Sequence, residues 1–346
     1  MRILLWHVHG AWSDGFLRGE HEYLIPADRG ADLALPRGGA RTVDPAALRE
    51  TDVDIVVLQR VEELELAERL LGRRLGSELP AVFVEHNTPK ERPVTERHFL
   101  AEQSDIPVVH VTHFNRLVWD CGRATTRVIE HGIPDPGPLY TGELPSLGLV
   151  VNEPVRRGRV TGTDLIPRFA EAAPIDCFGI DTDLLPAALE LGEERLRVVG
   201  DLPTARLHRE LARRRVYLHT VRWTSLGLSL LEAMHLAMPV LVFDTTEASR
   251  AVPPEAGAIS ADPDDLVRAA RELIADPEEA RRRGAAARSS VRERYGLERF
   301  HAEWDALLHD VVESATARRR RRSGPRPQLQ DPSPARTTAL LEGADR

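Results

Sequence analysis

The chain has 346 residues, 42% hydrophobic and 29% charged, with a formal net charge of −8. That length suits two domains of about 150 residues and a tail, and the balance is that of a folded globular protein, which excludes a disordered or fibrous one. The acidic excess excludes broad nucleic-acid binding, which neutralises phosphates with basic side chains, and no apolar stretch approaches the ~20 residues that cross a bilayer.

The opening Met1-Arg2-Ile3-Leu4-Leu5-Trp6 runs straight into a strand-like segment without a charged leader or cleavage site, so a cytoplasmic location is expected. Strand-length apolar runs lie at residues 3–8, 53–58, 81–84, 108–111 and 127–129. Helical patterns lie at 61–75, where Leu64, Ala67, Leu70 and Leu71 share one face, and at 114–121. Strands alternating with helices predict a parallel sheet covered on both faces. After the first strand, His7-Val8-His9-Gly10-Ala11-Trp12 reads as a flexible loop, with Gly10 and Gly15 supplying its freedom. It lacks the G-x-G-x-x-G fingerprint, which disfavours a dehydrogenase. Its two histidines are not read as a metal pair.

Gly132-Ile133-Pro134-Asp135-Pro136-Gly137-Pro138 reads as a linker, dividing the chain into a first domain of residues 1–136 and a second of 137–313. Strands are expected in the second at 149–151, 175–178, 196–199, 216–219 and 240–243, and helices at 164–172, 204–212 and 228–237. Closing helices follow at 264–275, 277–286 and 297–312, the first two with Asp or Pro near their starts. Residues 314–346 turn to the arginine run 318–322, then Ser, Pro and Gly, and predict a disordered tail offering at most a peripheral membrane contact. Cys121 and Cys177, in different halves, read as packed thiols rather than a disulfide or a zinc site.

Ligands of open parallel sheets bind at the carboxyl ends of the strands. The most pointed segment for such a site is Arg222-Trp223-Thr224-Ser225-Leu226-Gly227-Leu228-Ser229-Leu230-Leu231-Glu232-Ala233-Met234. A helix starting near Leu228 turns free N–H groups and the positive end of its dipole toward the cleft, which suits a diphosphate. Gly227 lets that backbone approach closely, and Glu232, one turn in, is placed to accept hydrogen bonds from vicinal ribose hydroxyls. The plainer reading of Glu232 is a solvated carboxylate favoured near the positive end of a helix.

This segment resembles the large retaining GT-B glycosyltransferase family, glycosyl transferases group 1, which includes sucrose synthase and bacterial mannosyltransferases. The resemblance is carried by Gly227-Leu228-Ser229-Leu230-Leu231-Glu232-Ala233-Met234 and Pro239-Val240, and more weakly by Val128-Ile129-Glu130-His131-Gly132-Ile133 and Val198-Val199-Gly200-Asp201. It implies an α/β architecture of two Rossmann-like domains facing each other across a cleft. It also implies transfer of a hexose from a nucleotide-diphosphate sugar to an acceptor, with retention, without metal, and with no cofactor besides the nucleotide-sugar cosubstrate. By resemblance, Thr224, Ser225, Gly227, Leu228, Ser229 and Glu232 hold the donor. His86, in Glu85-His86-Asn87-Thr88-Pro89, faces the donor sugar as the catalytic candidate beside Glu232, with His110 and His113 as alternatives, and His9 and Gly10 shape the acceptor loop.

Two departures stand out. The family's second glutamate falls where this chain has Thr224, and its phosphate-binding lysine where this chain has Thr161. Arg156, Arg157 and Arg159 are the candidates to supply the missing charge, because guanidinium groups match phosphate geometry. Asp181-Thr182-Asp183 looks like a metal-binding pair, but follows the strand at 175–178, away from the expected phosphate site. The departures keep open an inactive, glycosyltransferase-like scaffold; a nucleotide-sugar epimerase is the other rival.

Overall fold

The structure, a computed structural model, describes residues 1–8, 10–27 and 39–323. Among them, β1 (Arg2–Leu5), β2 (Glu22–Pro26), β3 (Ala40–Val43), β4 (Ile55–Leu58), β5 (Ala81–Glu85), β6 (Val108–His110) and β7 (Thr126–Val128) form a parallel sheet in the order β3-β2-β1-β4-β5-β6-β7. A second parallel sheet takes β8 (Leu144–Val150), β9 (Ile175–Phe178), β10 (Leu196–Gly200), β11 (Arg214–His219), β12 (Val240–Phe243) and β13 (Gly257–Ser260) in the order β10-β9-β8-β11-β12-β13. Both are doubly wound, so strand order reverses between β1 and β4 and between β8 and β11, and a crevice opens at each reversal.

The central strands are continuous apolar runs because both faces are covered. Every residue of Ile-Val-Val-Leu in β4 and Val-Leu-Val-Phe in β12 is buried. The edge strands β3 and β13 carry no such run: β3 is Ala-Arg-Thr-Val, half exposed, and β13 opens on Gly257. Apolar periodicity therefore does not disclose them, whereas β2, with Tyr23, Leu24 and Ile25 buried, carries a short apolar run that the expected strands do not include. Local chemistry sets several helix starts. Asp262 accepts from the Asp264 N–H and Asp276 from those of Glu278 and Glu279, each before a proline in the first turn of its helix, Pro263–Ala275 and Pro277–Arg294.

Two expectations are corrected. Gly10 does not lie in a flexible loop: it opens the helix Gly10–Phe16, whose Trp12 and Phe16 are buried. The final helix, Leu297–Ser323, also does not stop at 313, and it does not close the second domain. Its Phe300, Trp304, Leu308 and Val311 recur at helical spacing and pack on the first domain, against Ile3, Leu5, Trp12, Phe16 and Tyr23. Trp304 meets Phe16 edge-to-face at 5.2 Å and Trp12 at 5.8 Å between centroids. The chain thus crosses between domains twice, through the coil 129–143 and through the break at Gly296. Both crossings are tied: Arg288 grips Asp135 with two contacts of 2.8 Å, and Arg294 Nε holds both Glu130 oxygens at 3.1 Å. The part of the expected tail at 324–346 lies outside the described residues. Among the described residues, no helix is long and apolar enough to cross a membrane.

Candidate functional site

Where β8 and β11 part, a cavity of 490 Å³ opens at the carboxyl ends of the second sheet's strands. Its size lies within the ~300–1,000 Å³ usual for small-ligand sites. Asn152 and Gly179 border it after β8 and β9, Asp201, Leu202, Thr204 and Leu207 after β10, and His219 and Val221 at the end of β11. Ala11, from the first domain, closes one side.

Five of the donor positions expected from sequence meet here: Thr224, Gly227, Leu228, Ser229 and Glu232. The helix Leu228–His235 begins at Gly227, whose backbone is extended, and no side chain caps it, so its first N–H groups are left without a capping partner in a turn that lines the cavity. A Cβ on Gly227 would lie 2.4 Å from the His219 ring, so glycine is what lets the strand end and the helix start touch. Tyr217 donates to Ser229 Oγ at 2.9 Å and steadies that first turn. Burial holds the His219 pKa down to about 4, leaving the ring neutral near pH 7. Glu232 opens its carboxylate into the cavity, with His208 Nε2 3.7 Å behind it.

The three candidate arginines separate. Arg157 lines the cavity, and no carboxylate among the described residues lies within ion-pair distance of it. Burial, then the charge of Arg156, lowers its pKa from the ordinary guanidinium value. Arg156 instead pairs with Glu153, Nε to Oε1 at 2.9 Å, and Arg159 with Asp164 at 2.9 Å. Neither of those two reaches the cavity, because each finds a carboxylate nearby in sequence. Thr161 lines the cavity, but its hydroxyl is bonded to Gly158 O and to Thr163 Oγ1, each at 3.0 Å.

Ser225 and His86 belong to the domain interface rather than to the cavity wall. Ser225 Oγ donates to the His86 carbonyl at 2.7 Å, and the His86 ring donates from Nε2 to Gln59 Oε1 at 3.1 Å and meets Trp12 edge-on. Trp223 Nε1 donates to Pro89 O at 2.9 Å, and the buried Glu247 accepts the Phe114 N–H at 2.7 Å, extending this seam across the cleft. His110 is buried against Cys121 Sγ at 3.5 Å. His113 begins the helix His113–Val118, outside the cavity. Gly10 is exposed and lines no part of it, and His9 lies outside the described residues. Asn152, Asp201, His219 and the helix Thr204–Leu211, expected at 204–212, were not assigned to the site from the sequence. Their signal was positional, since each follows or ends a strand.

Two other cavities flank this arrangement. One of 440 Å³ sits at the ends of β1, β4 and β5 and is lined by Val8, Gln59, Glu85, Asn87, Lys90 and Trp119. The other, of 590 Å³, is larger but lies at the linker, between Asp135, His235 and the start of the final helix. It meets the far end of the helix Leu228–His235 and no strand end, so volume alone does not mark the site.

Two doubly wound domains facing each other, with a helix N-terminus and a carboxylate at the switch point of the second, define a GT-B protein. Residues 185–290 match the family described as glycosyl transferases group 1, so the second domain carries that family's region. No curated protein matches the chain by sequence. Among solved structures, it resembles sucrose-phosphate synthase from Thermosynechococcus elongatus with a TM-score of 0.69 at 16% identity, over 91% of this chain and 100% of that one. It resembles Anabaena HepE, solved in complex with UDP, with a TM-score of 0.65 at 14% identity, over 90% and 100%. A glycosyltransferase from Rickettsia africae gives 0.64 at 13% identity, over 90% and 98%.

Proposed function

We propose that the chain is a glycosyltransferase that moves a hexose from a nucleoside-diphosphate sugar to an acceptor bound in the 440 Å³ cavity of the first domain. The uncapped N-terminus of the helix Leu228–His235, opening with Glu232 into one cavity, carries the reading. In it, the N–H groups of Leu228 and Ser229 and the guanidinium of Arg157 receive the diphosphate and stabilise the charge that grows as it leaves. Glu232 accepts hydrogen bonds from the ribose hydroxyls. With helix and arginine supplying positive charge, transfer proceeds without a metal, and the product keeps the donor's anomeric configuration. HepE has been solved with UDP and glucose, which makes UDP-glucose the donor to try first.

Calorimetric titration of UDP into the wild-type protein and Glu232→Ala, followed by UDP release from UDP-glucose with and without EDTA, tests this. UDP is expected to bind, and the variant to lose about 1.5–3 kcal/mol of affinity, the worth of hydrogen bonds to a charged group. Equal affinity in both proteins sinks the assignment of Glu232. Binding of UDP without turnover of any nucleotide sugar favours the scaffold, for which Thr224 and the committed hydroxyl of Thr161 speak.

A further inference from the structure

The helix Thr204–Leu211 lends Thr204 and Leu207 to the wall of the donor cavity, and its His208 is 8% exposed. His208 Nε2 is shielded from solvent and has no hydrogen-bond partner. It points at Glu232 Oε2, and His208 is the one basic side chain within ion-pair distance of that carboxylate among the described residues. The hydroxyl of Tyr217, on β11 beneath the helix Leu228–His235, is committed to Ser229. A buried ring nitrogen without a partner is costly, and an acceptor nitrogen beside a carboxylate would be repelled, so Glu232 selects the tautomer that carries the proton on Nε2. The separation is 3.7 Å, and a movement of about 0.8 Å brings it to the ~2.9 Å of a hydrogen bond.

We infer that His208 is a positioning residue for the ribose site: its Nε2–H donates to Glu232 Oε2 and fixes the carboxylate so that it accepts from the 2′ and 3′ hydroxyls of a nucleotide together. The inference rests on the reading of Glu232 above. It adds a specific consequence, namely that discrimination between ribose and deoxyribose depends on a side chain that touches neither.

UDP and 2′-deoxy-UDP are titrated into the wild type, Glu232→Ala, His208→Ala, His208→Leu and His208→Gln, with the melting temperature of each protein recorded. His208→Ala is expected to weaken UDP by about 3- to 10-fold, the worth of one hydrogen bond, and to weaken 2′-deoxy-UDP less, so that the preference for ribose shrinks. His208→Gln, whose amide N–H reaches a similar position, keeps the preference. His208→Leu preserves buried volume without the N–H and replaces the alanine variant should that one melt early. Unchanged UDP affinity in the alanine or leucine variant overturns the inference, as does an equal loss for both nucleotides. If Glu232→Ala binds UDP as the wild type does, the ribose reading fails first; if only the His208 variants are silent, that reading stands and the role of His208 falls.

Discussion

Arg156, Arg157 and Arg159 are chemically the same group within one short segment, yet their surroundings give them different work. Glu153 and Asp164 neutralise the first and the last, while Arg157 stands in the cavity wall with Arg156 beside it. A half-buried guanidinium next to a like charge gains from an incoming anion. Arg157→Ala should therefore weaken UDP by about 1.5–3 kcal/mol, with a shallower salt dependence, whereas Arg156→Ala should leave affinity essentially unchanged, because its exposed ion pair contributes little. Titrations at two salt concentrations check the pair, and equal losses for both variants would refute the separation. At this scale the placement of Gly227, Ser229 and Glu232 on one cavity wall was legible, because it follows from chain position relative to a strand end and a helix start. The choice among the arginines was not, because it is made by which carboxylates the folded backbone puts within reach. His86 follows the end of β5 as expected, but its ring is held by Gln59 and Trp12 and does not line the donor cavity.

Among the elements, the final helix has the widest consequences. Phe300 and Trp304 fill the first domain's core under the helix Gly10–Phe16, so residues more than 280 positions apart share one aromatic cluster. Trp304→Ala removes a fully buried ring and should cost about 3–5 kcal/mol. Chemical denaturation of the variant measures it, and a loss below about 1 kcal/mol would mean that the helix is only a surface cover. The first domain should then unfold at lower denaturant than the second, which separate probes of the two domains would detect. The amphipathic spacing of this helix was readable from its sequence, but the domain that receives it was not, since periodicity names an apolar face and not its partner.

For the molecule as a whole, burial sets a pH limit. It depresses the pKa of His110 to about 3 and those of His219 and His235 to about 4, from an ordinary value near 6.5. The unfolded chain therefore binds protons that the folded chain refuses. These groups contribute their full stabilisation above about pH 6.5, and it is lost progressively as pH falls toward about 4. The paired carboxylates Asp135, Asp164 and Asp176, whose pKa values are lowered, lose their contribution at still lower pH. Calorimetric scans should show a melting temperature that is nearly level from about pH 8 to 7 and falls steeply below about 6. A melting temperature unchanged down to about pH 4.5 would contradict this account.

By itself the sequence determined two parallel α/β domains with a linker between them, and a helix start and a carboxylate placed one turn apart after a strand end. Each of these depends on local chemistry: apolar runs of strand length, glycine and proline punctuation, and one segment's order of residue types. Tertiary structure alone decided that the last helix returns to the first domain, that Gly10 begins a helix rather than a loop, that Arg157 faces the cavity while its neighbours do not, and that His208 stands behind Glu232. The helix and histidine outcomes depend on contacts between segments far apart in the chain, and the arginine outcome on which nearby carboxylate the folded backbone brings within reach, so packing and the competition of charges for partners override what any short stretch prefers.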